Sequence, residues 1–189
     1  MESADRSHLV YRIGRAAATG TRLGRRRLAA CCGLSEMSVR LELERLRDAG
    51  WATLDRSGVD LTAAGRRRFA SLLDRIRDVR AVELTTLRLD ACALAGLVAA
   101  PERAAAWEVR DLAVRQGATG LLLLRFAAQE WTFSHDDEPI VERNPDDALV
   151  LIDAFPEAVV GDRLVVAFAP DMASATLALW HVLGEFADG

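Results

Sequence analysis

Lysine is absent: all 24 basic side chains of this 189-residue chain are arginine. We read that mainly as coding bias, with one chemical consequence. Any phosphate contact the chain makes has a planar, bidentate donor available. Cysteine is scarce, and Cys31, Cys32 and Cys92 are an odd number. They support neither a disulfide framework nor a four-ligand zinc site, and a cytoplasmic location is expected. Long apolar runs are missing as well. The uncharged mid-chain stretch Ala91–Ala100 falls far short of the roughly 20 residues a membrane span needs, so no membrane partner is expected. Met1–Ser7 is polar and carries two acids, so no secretory signal is expected either. Internal repeats and low-complexity tracts are absent. What remains is a chain that is 51% hydrophobic and 28% charged, the composition of a folding protein of one large or two small domains.

The net charge of −4 conceals an asymmetry. Residues 1–80 hold 17 Arg against 10 Asp and Glu, a net of +7, and residues 81–189 hold 7 Arg against 18 acids, a net of −11. Such a split predicts two modules with different partners. The first suits a polyanion; the second would be repelled by one.

Apolar spacing predicts a helix over His8–Ala18 and a short second helix over Arg25–Cys32, closed by Gly33. Ser35 is placed to cap a third helix, Glu36–Ala49, which Gly50 ends. Trp51–Leu54 and Val59–Leu61 flank a Ser-Gly turn and predict a β-hairpin. Thr62 then caps a fourth helix, expected to run over Ala63–Arg80. This order is that of a winged helix-turn-helix. Beyond it, Val82–Ala91 is strand-like and Pro101–Gln116 helical. Thr119–Phe126 and Glu130–Ser134 pair as a hairpin. Asn144-Pro-Asp-Asp147 starts a short element, helix or strand, with Asn144 as cap. Arg163–Ala169 is a buried strand and Asp171–Ala187 a last helix. The expected fold class is therefore α+β: a winged helix-turn-helix over 1–80, then a ferredoxin-like β-α-β-β-α-β sandwich over 81–189 with an extra C-terminal helix.

In the third helix, Val39, Leu43 and Leu46 define a buried face. Met37, Leu41 and Glu44 then point outward, with Arg40 and Arg47 on one shoulder and Arg45 on the other. The N-terminal residues of such a helix meet base edges in the major groove, so Met37, Ser38, Arg40 and Leu41 are the candidate readers. Arg40 suits guanine, and Met37 and Leu41 suit thymine methyls. Arg25, Arg26 and Arg27 open the second helix with no acid between Ala16 and Ser35, which favours phosphate contact over a merely solvated face. Arg56 lies at the tip of the expected wing. For Arg66–Arg68, a solvated run with Asp60 and Asp74 nearby is an equal alternative.

The segment Leu23-Gly-Arg-Arg-Arg-Leu-Ala-Ala-Cys-Cys-Gly-Leu-Ser-Glu-Met-Ser-Val-Arg40, continued by Leu43, Leu46, Ala49-Gly50 and Leu61-Thr62-Ala-Ala-Gly65, resembles winged-helix transcriptional regulators over residues 9–75. The resemblance implies DNA binding by the third helix and the wing. It departs from the usual pattern at Leu41, where a polar or basic residue is more common. More loosely, the whole chain is similar to uncharacterised archaeal winged-helix proteins. The shared features are Arg110-Asp111 leading to Gly117-Ala118 before a strand, and Gly161-Asp162 before the last strand. That likeness implies a domain boundary near 80–82 and no chemistry.

No catalytic constellation emerges, and no enzyme activity, metal or cofactor is expected. His135-Asp136-Asp137-Glu138 reads as a solvated acidic loop, His181 as a packing histidine, and Cys32 as core. Cys31-Cys32 beside the Arg run leaves a redox sensor as an alternative. Arg110 and Asp111 are adjacent on a helix and point about 100° apart. With Trp107 and the Thr119–Leu124 strand they are the expected rim of a ligand pocket. The Ala-rich last helix, with Ala173, Ala175, Ala178 and Trp180, offers a close-packing surface for a homodimer. The expected function is a DNA-binding transcriptional regulator, with double-stranded DNA, a second copy and a small-molecule effector as partners. The alternative is a winged-helix protein-docking module, with Met37 and Leu41 as its apolar patch.

Overall fold

A computed structural model describes residues 4–99 and 106–188. The chain divides into two compact units, 1–74 and 75–189. By this division the first unit holds 14 Arg against 9 acids, a net of +5, and the second 10 Arg against 19, a net of −9.

In the first unit, α1 (Ala4–Ala18), α2 (Arg25–Cys32) and α3 (Glu36–Asp48) precede the antiparallel hairpin β1 (Ala52–Asp55) and β2 (Gly58–Leu61). Leu9, Ile13, Leu28, Val39, Leu43 and Leu46 are fully buried between them. Each α3 member of this core lies on the face expected from its spacing. Gly33 adopts φ 65 after α2, a left-handed conformation that costs glycine little. The Ser35 hydroxyl accepts from the Ser38 N–H at 3.0 Å, and the Thr62 hydroxyl accepts from the Gly65 N–H at 3.0 Å. Both caps stand where the sequence put them. An isolated antiparallel bridge from Leu23 to Val59 adds a third line to the hairpin.

The fourth helix differs from expectation. It is two short helices, α4 (Ala63–Arg68) and α5 (Ala70–Arg75), and Ile76–Ala81 is strand β3. The physical reason is tertiary. Ile76 through Ala81 pair antiparallel with Val98 through Leu94, and Ile76 and Val79 are buried by that pairing. Sheet burial overrides a local helical pattern. The division between the units accordingly falls at 74/75 rather than 80/81. Val82–Ala91, expected as a strand, is irregular, and the strand is β4 (Cys92–Val98).

The second unit continues with α6 (Ala106–Arg115), β5 (Gly120–Ala127), β6 (Glu130–Phe133), α7 (Pro145–Ala154), β7 (Arg163–Ala169) and α8 (Met172–Asp188). The ambiguous element after Asn144 is thus a helix, although Asn144 makes no side-chain cap bond. Pro101, expected at a helix start, lies outside the described residues. The α+β class holds, and the expected β-α-β-β-α-β-α run follows the additional strand β3; the sheet order differs from that of the expected ferredoxin-like sandwich, where the last strand of the run lies at an edge. The five strands form one sheet in the order β3-β4-β7-β5-β6, antiparallel throughout. β4 and β5, joined through α6, run parallel with β7 between them, so the last strand in sequence is central. Every β7 residue is buried, which explains its unbroken apolar run. One sheet face, with Ala93, Ala95, Leu97, Leu124, Leu164, Val166 and Phe168, packs with Trp131, Leu151 and Phe155. α8 packs on β4 and β7. Ala175, Ala178 and Trp180 are buried there, so those three residues of the expected dimer surface pack inside the unit, while Ala173 is exposed.

Candidate functional site

The outer face of α3 is exposed as the spacing predicts. Met37 is 60% and Leu41 47% accessible, large apolar side chains left in water. Arg40 is exposed too, but its Nε donates to Glu44 Oε1 at 2.9 Å. Arg47 pairs with Asp48 at 2.8 Å. Both pairs are solvent-exposed and individually weak, so a phosphate or a base edge can compete for either guanidinium. Ser38 is half-buried, and its hydroxyl shares a 2.8 Å hydrogen bond with that of Ser35; it is committed to the helix start. Arg45 is also committed, to the buried carboxylate of Glu42, which accepts from Arg6 Nε at 3.1 Å as well. Sequence spacing alone did not single out Glu42. Its signal is a carboxylate one position before the buried Leu43.

Arg25, Arg26 and Arg27 occupy the first turn of α2, all exposed. Arg26 lies 3.7 Å from Glu36, with both side chains largely in solvent. Arg56 is at the exposed tip of the hairpin turn. Beside it, the Ser57 hydroxyl and N–H donate to Asp55, and these bonds hold its carboxyl below the usual range. Arg22 donates to Asp55 at 2.9 Å and to Asp60 at 3.3 Å, fixing the hairpin against the segment before α2. Arg66 binds Asp60 at 2.7 Å, and Arg68 lies over the rings of Trp51 and Phe69. For those two arginines the structural partners are at hand.

Of the residues expected around a pocket, the structure brings together Trp107, Arg110 and the middle of the Thr119–Leu124 strand. Trp107, 66% accessible, and Arg110 lie three apart on α6. They line a cleft of about 420 Å³ with Leu121, Leu122 and Leu123 of β5 and with Phe133, Ser134 and His135. Asp111 is exposed and is not part of that lining. β6 covers β5 only from Leu124 to Ala127; below it the Ser134 N–H donates to the Leu123 carbonyl at 3.1 Å. The Ser134 hydroxyl is buried with no hydrogen-bond partner among the described residues.

The acidic loop is internally paired: His135 with Asp136, Arg125 with Asp137, and Arg143 with Glu138. Among the described residues no group of His, Cys, Asp or Glu is arranged to hold a metal ion, and no helix is long and apolar enough to cross a membrane. Cys32 is buried, and burial pushes its thiol up to about 12, which keeps it protonated and unreactive. Asp147, which the sequence places in the first turn after Asn144, is fully buried. It accepts from the N–H groups of Thr85 and Leu87, both at 2.7 Å, and from the hydroxyls of Thr85 and Thr86 at 2.9 and 2.8 Å. Burial alone would raise its pKa, but those four bonds outweigh it and the net direction is down.

The fold places the chain in an α+β class: three helices and a small hairpin consistent with a winged helix, followed by a five-stranded antiparallel sheet unit. A solved structure of the same architecture is "Hypothetical protein PH0730 from Pyrococcus horikoshii OT3". It superposes with a TM-score of 0.72 at 22% sequence identity, over 100% of this chain and 94% of that one. At that identity the likeness is one of fold. No family model and no curated protein matches the sequence.

Proposed function

We propose that the protein is a DNA-binding transcriptional regulator, with α3 in the major groove, the β1–β2 hairpin on the flanking groove, and the second unit serving dimerisation, effector sensing or both. The observation that carries this reading is the arginine-only first turn of α2. Three exposed guanidinium groups with one distant, solvent-exposed acid stand on a unit of net +5. They are placed as phosphate contacts are in helix-turn-helix proteins, beside a helix whose outer face is exposed. A homodimer belongs to the proposal because a single helix-turn-helix reads only a half-site. Since Ala175, Ala178 and Trp180 of α8 are buried, the exposed apolar side chains of α7, Leu149, Val150 and Ile152, are the surface assigned to it.

The test is recovery of genomic DNA fragments by the purified full chain, followed by affinity as a function of salt. Each phosphate contact contributes about −0.9 to the log–log slope. Arg26→Ala should weaken all sequences alike and flatten the slope by about one contact. Arg40→Ala should relax preference at one base position by roughly 1–3 kcal/mol. No recovered site and no binding at low salt would refute the proposal. That result would support the second reading, a protein-docking module. Its favouring observation is the exposed Met37–Leu41 pair flanked by arginines that already hold acids.

A further inference from the structure

We infer that the cleft between α6 and the outer edge of β5 binds a small monocarboxylate with an aryl or short alkyl body. Ligand sites are concave, mostly apolar, about 300–1,000 Å³ in volume, and carry few polar groups. The 420 Å³ cleft has that balance: Trp107, Leu121, Leu123 and Phe133 supply apolar walls, and Arg110, Ser134 and His135 the polar groups. Arg110 has no ion-pair partner among the described residues, whereas Arg77, Arg80, Arg125 and Arg143 of the same unit each hold an acid. A guanidinium free on an apolar rim presents two parallel N–H groups that match one carboxylate. The Ser134 hydroxyl, buried and unpartnered, is the second donor in the same lining. A hydroxyl left in that state costs free energy until an acceptor reaches it.

Charge narrows the ligand further. The unit carries a net of −9 and one unengaged guanidinium at the cleft, so a phosphate dianion meets an unfavourable field with too few donors. A monoanion with an apolar body is matched at both ends. Because the cleft lies wholly within the second unit, its occupancy is measured without DNA, and the two proposals fail separately. The effector role of such a ligand rests on the regulator reading.

The experiment titrates the full chain with 4-phenylbutyrate, with its neutral amide and with inorganic phosphate. Binding is followed by tryptophan emission and, independently of any reporter, by calorimetry. Trp107 is exposed whereas Trp131 and Trp180 are buried, so covering the cleft shifts emission to shorter wavelength, and Trp107→Phe identifies that signal. The expected result is saturable binding of the acid, with the amide weaker by about tenfold or more for the lost charge-assisted contact. Arg110→Ala should weaken the acid equally, Arg110→Lys less, and phosphate should neither bind nor compete. Arg110 is exposed, so its replacement leaves the fold intact. No calorimetric binding at millimolar acid, equal affinity for acid and amide, unchanged affinity in Arg110→Ala, or competition by phosphate would each overturn the inference.

Discussion

His8 makes the first unit acid-sensitive in a pH range where carboxylates contribute little. The imidazole is buried on α1, and Arg12 donates from Nε to its Nε2 at 3.2 Å, so the ring serves as an acceptor in its neutral form. Burial first, and the Arg12 charge second, lower its pKa from 6.5 to about 3. As pH falls below 6.5 the unfolded chain takes up a proton that the folded chain refuses. The stability tied to His8 is therefore fully present above about pH 6.5 and is lost as pH falls towards 3. The slope is about 1.4 kcal/mol per pH unit, and the loss from pH 7 to pH 4.5 is about 2.5 kcal/mol. That is a large part of the stability of a small unit. His8→Gln keeps a neutral acceptor and removes the titration. Hydrogen exchange of peptides covering α1, corrected for the intrinsic pH dependence of exchange, gives the opening free energy at pH 7, 5.5 and 4.5. Wild type should lose about 2.5 kcal/mol across that range, and His8→Gln should lose at least 2 kcal/mol less. Parallel pH profiles for the two proteins would refute the argument.

Gly65→Ala should destabilise the first unit by about 3 kcal/mol or more in urea unfolding, because a Cβ there would lie 2.0 Å from the Trp51 carbonyl oxygen. Gly24→Ala, with nothing within 4 Å, should stay within about 0.5 kcal/mol of wild type. Asp147→Ala leaves two N–H groups and two hydroxyls of the 85–87 segment without their acceptor. It should cost about 3 kcal/mol or more and speed exchange at Thr85 and Leu87 ahead of the sheet. Sedimentation at micromolar concentration should find a dimer that Leu149→Asp shifts towards monomer.

Local signals served well where the burying partner is itself local. The caps at Ser35 and Thr62, the left-handed Gly33 and the buried stripe Val39–Leu43–Leu46 were all legible from spacing and side-chain chemistry. β7 was legible because burial on both faces demands an unbroken apolar run. Spacing failed where a distant segment decides. Ile76–Ala81 has helical neighbours but pairs with β4. Val82–Ala91 reads as a strand but is held irregular by a carboxylate some 60 positions on. Asp147 looked like a helix-start acid because its partners are invisible to a window of ten residues. In the candidate sites, exposure of Met37 and Leu41 and the convergence of Trp107 with Arg110 followed from helix geometry. The pairing of Arg40 with Glu44, the commitment of Ser38 to the cap and the unpartnered Ser134 hydroxyl are properties of side-chain placement, which periodicity does not carry.

The central position of β7 has a consequence for how the chain comes off the ribosome. β4 and β5 touch one another only through β7, so neither ladder of the sheet's middle can close until Arg163–Ala169 has been made. The basic first unit ends at residue 74, so all of its chain is made long before β7. The β3–β4 and β5–β6 pairs can form earlier, but the edges of β4 and β5 that face β7 wait unpaired until the end of their own translation. Late closure of long-range pairs is slow and leaves apolar strands open to wrong partners. Chains stopped short of residue 163 should therefore hold a folded first unit and an aggregating remainder.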